Sequence, residues 1–171
     1  MDRQRQGKKL TMKLGEKGVS GTDHGHFNRP AGMAFMPDGS FYIADGYVNS
    51  RVGKANARGE WVASWGSLGK GPGQFDTPHS ITSDAKGNIY VADTLNKAIR
   101  KITPAAVVTT LSLRTASGAG FALNSPNAVA VDGSGTLYVA DAGLNIICKV
   151  APSGITTVLA GTLGVAGSDD G

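Results

Sequence analysis

The residues of this chain that could bind a metal or act as a nucleophile include three histidines and one cysteine. His24 and His26 form a His-x-His pair in a glycine-rich segment. Two nearby imidazoles could take up a metal ion, but a solvated loop is the simpler interpretation of such a segment. Cys148 is the single cysteine, so it can form neither an internal disulfide nor a cysteine-based metal cluster. The sequence shows no nucleotide-binding loop, nucleophile elbow or zincin motif, so any chemistry depends on what the fold brings together.

Three aspartates end three closely similar apolar segments, which read Phe-Tyr-Ile-Ala-Asp45, Ile-Tyr-Val-Ala-Asp93 and Leu-Tyr-Val-Ala-Asp141. The interval between successive aspartates is 48 residues both times. A residue that every copy of a repeat requires is typical of a structural role rather than a catalytic one. We expect each carboxylate to accept backbone N–H bonds in the turn after its strand.

The same interval relates three prolines, Pro30, Pro78 and Pro126, each of which closes a short motif. The motif reads Phe-Asn-Arg-Pro, then Phe-Asp-Thr-Pro, then Leu-Asn-Ser-Pro. Agreement at this many positions over two intervals indicates three consecutive copies of one unit. We assign the prolines, with the aspartates, to the structural framework of the repeat.

Each unit contains four short apolar segments separated by glycine-containing turns, which is the pattern of antiparallel strands. In the first unit they cover residues 33–36, 41–45, 51–55 and 61–65. Four strands in a repeat of this length predict an all-β fold, a β-propeller with three four-stranded blades per chain, half of a six-bladed ring. The predicted division is a basic tail over 1–9, the outer strand and link of a preceding blade over 10–26, blade 1 over 27–74, blade 2 over 75–122, and blade 3 with a C-terminal link over 123–171.

Two positions depart from the repeat. Ala106 stands where the other two units have glycine, so we expect a left-handed φ there, at a cost of about 1 kcal/mol. Gly53 stands in a third strand where the other units carry a side chain, and we expect it to weaken that strand. Trp61 and Trp65 have the spacing of residues on one face of a strand, which predicts packing between blades.

An open fan of three blades leaves the faces of its two end blades uncovered. With strands about 4.8 Å apart and about five residues long, one face measures about 300 Å². At about 25 cal/mol/Å², covering the apolar part of each face contributes several kcal/mol. We therefore expect a homodimer in which two chains close a six-bladed ring about a two-fold axis. The alternative is a truncated domain of a longer propeller.

Residues 26–30, 45–51 and 71–80 read His-Phe-Asn-Arg-Pro, Asp-Gly-Tyr-Val-Asn-Ser-Arg and Gly-Pro-Gly-Gln-Phe-Asp-Thr-Pro-His-Ser. These tracts resemble the central blades of peptidyl-α-hydroxyglycine α-amidating lyase and its bacterial NHL-repeat relatives. The resemblance covers residues 26–101, and the later part is similar to bacterial NHL repeats with no assigned chemistry. It implies an NHL propeller that contains a part of a lyase site.

In that lyase family three histidines from alternating blades hold a catalytic zinc on the propeller axis, and a tyrosine acts as the base. The motifs match His79 to one zinc ligand and Tyr47 to the base. The partner histidines would lie in blades outside this chain, and Thr94 stands where the family has an arginine. The cysteine pair of the animal lyases is replaced by Asn28 and Val48.

One chain thus offers one of the three ligands that a catalytic zinc site normally requires. The alternative for His79 is a channel-facing polar residue at the start of the innermost strand. The alternative for Tyr47 is a cap on the loop at the top of its blade.

The net charge of +4 comes from residues 1–17, which hold six Lys and Arg against two acidic residues. A short basic terminus is typically a solvated end, and no element for reading a nucleic acid accompanies it, so we expect no nucleic-acid partner. The sequence has neither a secretory signal nor an apolar run of about 18 residues. As written, it predicts a cytoplasmic protein without a membrane partner.

Two functions are compatible with these features. The first is an NHL-repeat module for protein or ligand binding, completed by self-association, which presents the loops at one end of the propeller to a protein or peptide. The second is a zinc-dependent, amidating lyase-like enzyme that cleaves the N–Cα bond of a C-terminal α-hydroxyglycine and releases glyoxylate. The sequence favours the first, because the second requires ligands from absent blades.

Overall fold

The computed structural model describes residues 12–167, and within them the regular elements are β-strands. No helix in this range is long and apolar enough to cross a membrane. The predicted basic tail 1–9 lies outside the described residues, as do the first two residues of the predicted outer strand, and residues 12–14 form no strand. The strands are β1 (Gly32–Phe35), β2 (Phe41–Asp45), β3 (Arg51–Ala55), β4 (Trp61–Trp65), β5 (Pro78–Ser83), β6 (Ile89–Asp93), β7 (Ala98–Ile102), β8 (Val108–Thr110), β9 (Pro126–Val131), β10 (Leu137–Asp141), β11 (Ile146–Val150) and β12 (Thr156–Gly161).

These strands form three four-stranded antiparallel sheets, each ordered along the chain from an inner to an outer strand. We call β1–β4 blade 1, β5–β8 blade 2 and β9–β12 blade 3. The prediction of an all-β fold with three four-stranded blades is confirmed. Pro78 and Pro126 open β5 and β9, the strand position where a missing N–H disturbs the ladder least.

The hydrophobic core lies between the blades, because the three inner strands β1, β5 and β9 are neighbours and the sheets stack face to face. The second and third strands of blades 1 and 2 contribute the same three positions to this core. Each of these side chains is at most 7% exposed, and they pack against the sheet of the next blade. The positions are Tyr42, Ala44 and Val52 in blade 1, and Tyr90, Ala92 and Ile99 in blade 2.

The three repeated aspartates are buried, and each fastens the link that enters its blade to the end of the blade's second strand. In every blade the carboxylate accepts a backbone N–H from a residue 17 positions earlier. The donors are Asn28 to Asp45 at 2.9 Å, Asp76 to Asp93 at 2.7 Å and Asn124 to Asp141 at 2.7 Å.

The blades compensate these buried charges differently. Arg51 donates to Asp45 over 2.9 Å, and Arg100, from a different position of its strand, donates to Asp93 over 2.8 Å. Burial nevertheless raises the pKa of the Asp93 carboxyl, although hydrogen bonds from Asn96 and Arg100 oppose the shift. Asp141 has backbone donors instead of an arginine.

The tryptophans lie on opposite faces of β4, which corrects the expectation that they share one. A bulge shifts the register so that Trp61 pairs with Ala55 while Trp65 pairs with Val52. Trp65 therefore packs into the core between blades 1 and 2, whereas Trp61 covers the other face of blade 1. A β-bulge exchanges the faces of a strand, and the spacing of two residues cannot reveal it.

Gly53 is a requirement of the packing rather than a defect. A Cβ atom at this position would lie 2.1 Å from Cη2 of Trp61, so the indole ring occupies the space of the missing side chain. Ala106 has a φ of 65°, as expected for an alanine that replaces a turn glycine.

Candidate functional site

The structure brings Tyr47 and His79 together. Nε2 of His79 lies 2.9 Å from the hydroxyl oxygen of Tyr47, and the rings meet edge to face with 5.5 Å between their centroids. Nδ1 of His79 lies 2.9 Å from the carbonyl oxygen of Asn127. Tyr47 belongs to blade 1, His79 to blade 2 and Asn127 to blade 3, so this short chain of hydrogen bonds connects all three blades.

The loop between β2 and β3 positions Tyr47. It has five residues, 46–50, where the corresponding loops of the other blades have four, 94–97 and 142–145. Gly46 lets this loop approach the start of β5, because a Cβ atom there would lie 1.9 Å from the carbonyl oxygen of Pro78. Tyr47 is 51% exposed, so about half of the surface of this residue remains accessible.

A β-bulge positions His79. Pro78 pairs with Asp93 and Ser80 pairs with Ala92, which leaves His79 as the extra residue on β5. Bulges redirect a side chain and occur frequently next to functional sites. The imidazole is thus placed by a local irregularity of the innermost strand.

The hydrogen bonds of His79 determine its tautomer. A carbonyl oxygen only accepts hydrogen bonds, so Nδ1 must carry the proton that it donates to Asn127. In the neutral imidazole Nε2 is then an acceptor, and the Tyr47 hydroxyl donates to it. The lone pairs of the Tyr47 oxygen remain able to accept a hydrogen bond from a ligand. The pair can also pass a proton from Tyr47 to Nε2.

The described residues do not fit a zinc site of the lyase type. No group of three His, Cys, Asp or Glu side chains comes together between residues 12 and 167. His24 stacks on Trp61 at 5.2 Å between ring centroids, and His26 bonds to the Asp23 carboxylate over 2.8 Å, so neither of them is paired with His79. Three protein ligands are the norm for catalytic zinc.

Thr94, which stands where the resemblance implies an arginine, connects two blades in this chain. Its hydroxyl donates to the carbonyl oxygen of Pro126 over 2.7 Å, which joins blade 2 to the start of the innermost strand of blade 3. Gly46 occupies the corresponding position in blade 1. Neither position carries the arginine that the resemblance to the lyase family implies.

Sequence reasoning missed two parts of this site. The Asn127 carbonyl belongs to the backbone, and no side-chain pattern marks it. Gly46 left a visible signal, because the segment between its strand aspartate and the next strand is longer than in the other two units.

Comparison with known proteins identifies the family of one repeat in this chain. Residues 27–54 match the NHL repeat. Over 95 residues the chain is 38% identical to the probable peptidyl-alpha-hydroxyglycine alpha-amidating lyase of Caenorhabditis elegans, a match that covers 54% of this chain and 27% of the relative. Over 97 residues it is 36% identical to human NHL repeat-containing protein 3, covering 53% of this chain and 27% of the relative.

Among solved structures, virginiamycin B lyase from Staphylococcus aureus superposes with a TM-score of 0.57 at 15% identity, over 80% of this chain and 42% of that one. At this identity the likeness concerns the fold alone. Together these matches confirm the predicted resemblance to NHL repeats and to the amidating lyase. The chain spans about a quarter of the length of each of the two relatives described, 27% in both cases.

Proposed function

We propose that this chain is a ligand-binding segment of an NHL-type propeller, completed by self-association, in which Tyr47 and His79 form the contact point for a peptide. The observation that carries the proposal is the fixed hydrogen-bond chain from Tyr47 through His79 to Asn127. Tyr47 is half-exposed as a residue, and its hydroxyl oxygen keeps lone pairs that can accept a hydrogen bond at a place where all three blades meet.

The geometry favours a ligand that donates a hydrogen bond to Tyr47. The Tyr47 hydroxyl directs its own proton to Nε2 of His79, so the lone pairs of its oxygen can accept from an N–H or O–H group of the ligand. A C-terminal α-hydroxyglycine offers such a hydroxyl, and the name of the Caenorhabditis elegans relative contains this group. A peptide with this terminus is therefore the probe of choice.

The second candidate is the lyase reaction itself, which the proton path in the site favours. The substrate hydroxyl would give its proton to Tyr47, whose own proton would pass to Nε2 of His79. As the new carbonyl of glyoxylate forms, the N–Cα bond breaks, and its electron pair stays on the nitrogen. That nitrogen takes up a proton and leaves as the peptide amide. Because the described residues do not form a zinc site, the zinc dependence of this candidate requires ligands from elsewhere.

Isothermal titration of the full chain tests the first candidate. The ligands are a blocked peptide ending in α-hydroxyglycine and the same peptide ending in glycine. One hydrogen bond is worth about 1 kcal/mol, so we expect the glycine peptide, and the Tyr47→Phe variant, to bind several-fold more weakly. His24→Gln is the matched control and should bind like the parent. Absent binding, or equal binding by Tyr47→Phe and both peptides, would refute the proposal.

The same mixtures, assayed for glyoxylate, separate the two candidates. Binding without glyoxylate supports the binding module, whereas glyoxylate that disappears in Tyr47→Phe and His79→Gln supports the enzyme. Metal analysis of dialysed protein adds a second criterion. Stoichiometric zinc that is lost in His79→Gln but kept in His24→Gln would establish the zinc-dependent form in this chain, and protein without zinc would show that this chain alone does not form it.

A further inference from the structure

Blade 3 repeats, on its free face, the side chains that are buried between the other blades. Tyr138, Ala140 and Ile147 hold the strand positions of Tyr42, Ala44 and Val52 in the same ladder register. Val52 is 0% exposed, whereas Ile147 is 42% exposed. Terminal repeats that face water carry a polar outer surface instead. The free face of blade 3 thus has the composition of an interior interface.

Next to this face lies a pocket that corresponds to a filled position in blade 1. A Cβ atom on Gly66, at the end of β4, would lie 2.6 Å from the ring of Phe75, which enters from the next blade's link. Gly161 holds the corresponding position at the end of β12. A Cβ atom on Gly66 would lie 2.6 Å from the carbonyl oxygen of Ser50, and a Cβ atom on Gly161 would lie 2.2 Å from that of Asn145. A pocket of 340 Å³ opens beside Gly161, and within residues 12–167 its lining includes no aromatic ring.

The other end of the chain carries the matching group. Phe27 opens the first of the repeated motifs, as Phe75 opens the second. On the face of blade 1 that points away from blade 2, Met33 and Ile43 hold the strand positions that Ile81 and Val91 have in blade 2, where they pack in the core shared with blade 1. Met33 is 48% exposed, whereas Ile43 is 3% exposed in a cluster against which Leu14, Phe27 and Trp61 pack. An apolar pocket of 510 Å³ lies among Phe27, Pro30, Met33 and Ile43. This face of blade 1 therefore offers apolar groups that could cover the apolar free face of blade 3.

We infer that a second copy of this chain occupies both faces. Phe27 of each copy enters the pocket beside Gly161 of the other, and Ile147 packs against Met33 and Ile43 of the other copy. A two-fold axis makes both contacts at once and closes a ring of six blades. The inference rests on the self-association in the proposed function and specifies its surfaces. Four faces of about 300 Å² bury about 1,200 Å², the lower limit for stable complexes, so the dimer should dissociate on dilution.

The segment Met12–Gly15 now occupies the place that the second copy requires. A Cβ atom on Gly15 would lie 3.2 Å from the ring of Phe27, the same relation that Gly66 has to Phe75. Leu14 packs against the outward face of blade 1. It directly precedes Gly15, just as Ala160, at the end of the outer strand of blade 3, directly precedes Gly161. Residues 12–15 thus stand in for the outer strand of a neighbouring blade, and the dimer must displace them.

Sedimentation velocity of the full chain, from about 1 to about 100 μM, tests this interface. We expect a concentration-dependent dimer of the 17.5 kDa chain. Ile147→Glu should weaken it at least tenfold, while Val107→Glu, on a turn and 54% exposed, should leave it unchanged. Circular dichroism verifies that both variants fold. A monomeric parent at all concentrations, or an Ile147→Glu variant that dimerises like the parent, would overturn the inference.

Two further measurements complete the test. Leu14→Ala should tighten the dimer, because it weakens the competing segment. A weaker or unchanged dimer would mean that Leu14 does not compete and that the assigned position of Gly161 is wrong. Peptide titration of the Ile147→Glu variant distinguishes the two proposals, since binding by a monomer supports the Tyr47 and His79 site whatever the state of the interface.

Discussion

Gly46 has no side chain, and both the packing of blade 1 against blade 2 and the position of Tyr47 depend on this. Replacing it with alanine would place a Cβ atom 1.9 Å from the carbonyl oxygen of Pro78. Carbon and oxygen atoms approach one another to about 3.3 Å, so blade 1's loop and the start of β5 must separate by about 1.4 Å. The obstacle is backbone, which cannot rotate away as a flexible side chain can.

The expected cost follows from that overlap. Overpacking typically destabilises a protein by 1 to 3 kcal/mol, and we expect Gly46→Ala at the upper end, about 3 kcal/mol, because neither side has a rotamer to change. For a chain of this size that corresponds to a melting temperature lower by about 6 to 12 °C. The separation also lengthens the 2.9 Å bond between Tyr47 and His79, so peptide binding should weaken in the same variant.

Urea denaturation followed by circular dichroism measures the loss of stability. Gly133→Ala is the matched control, because a Cβ atom there meets no atom within 4 Å, and it should change the free energy of unfolding by less than about 0.5 kcal/mol. If Gly46→Ala is as stable as this control and binds peptide like the parent, then the close approach of Gly46 to Pro78 does not exist and the positioning of Tyr47 has another cause.

Ala106→Gly should stabilise the chain by up to about 1 kcal/mol in the same assay, because it relieves a φ of 65°, while Ala105→Gly should not stabilise it. Arg100→Met should lower the free energy of unfolding by about 3 kcal/mol, because it leaves the Asp93 carboxylate buried without its cation. Adding Asp93→Asn to this variant should recover part of the lost stability. An Arg100→Met variant as stable as the parent would contradict this prediction. Burial, with a smaller contribution from a nearby carboxylate, raises the pKa of the Cys148 thiol from 9.0 to about 11. The unfolded chain therefore loses this proton first, and the free energy of unfolding should fall between about pH 9 and pH 11, less steeply in Cys148→Ala.

The repeat was predictable because its signals are local. A strand that ends in Tyr-x-Ala-Asp and a link that ends in proline recur at 48-residue spacing, and each unit repeats the same strand and turn residues. Even the left-handed φ of Ala106 followed from comparing one unit with its sisters. The aspartates were recognised as structural for the same reason, and the hydrogen bonds of Asp45 extend into the preceding link as well as along its own blade.

What the sequence did not predict depends on irregularities of the backbone. The bulge opposite Lys54 and Ala55 sends Trp61 to the free face of blade 1, where it requires Gly53 beneath it. A pattern of alternating residues assumes a regular strand and fails at a bulge. The sequence predicts that Gly53 weakens its strand, because the other units carry a side chain at this position, whereas in the structure the ring of Trp61 fills that space.

The candidate site was predictable only through resemblance. Neither Tyr47 nor His79 stands out by spacing, since they lie 32 positions apart on different blades. The five-residue loop that brings Tyr47 to His79 is a departure from the repeat. The bulge on β5 recurs on β9 at Asn127, but no side-chain pattern in the sequence marks a bulge. That the other two zinc ligands lie in blades outside this chain stays a prediction of the resemblance.

The hydrogen-bonded row of Tyr47, His79 and Asn127 has a mechanical consequence. Its two bonds, each 2.9 Å long, are fixed at three points on three separately stacked sheets. A hinge motion that tilts one sheet against the next must stretch or shorten one of them, so the imidazole proton signals of His79 report the curvature of the fan. Anything that bends the stack, whether a bound peptide or a neighbouring subunit, should be visible at this one ring.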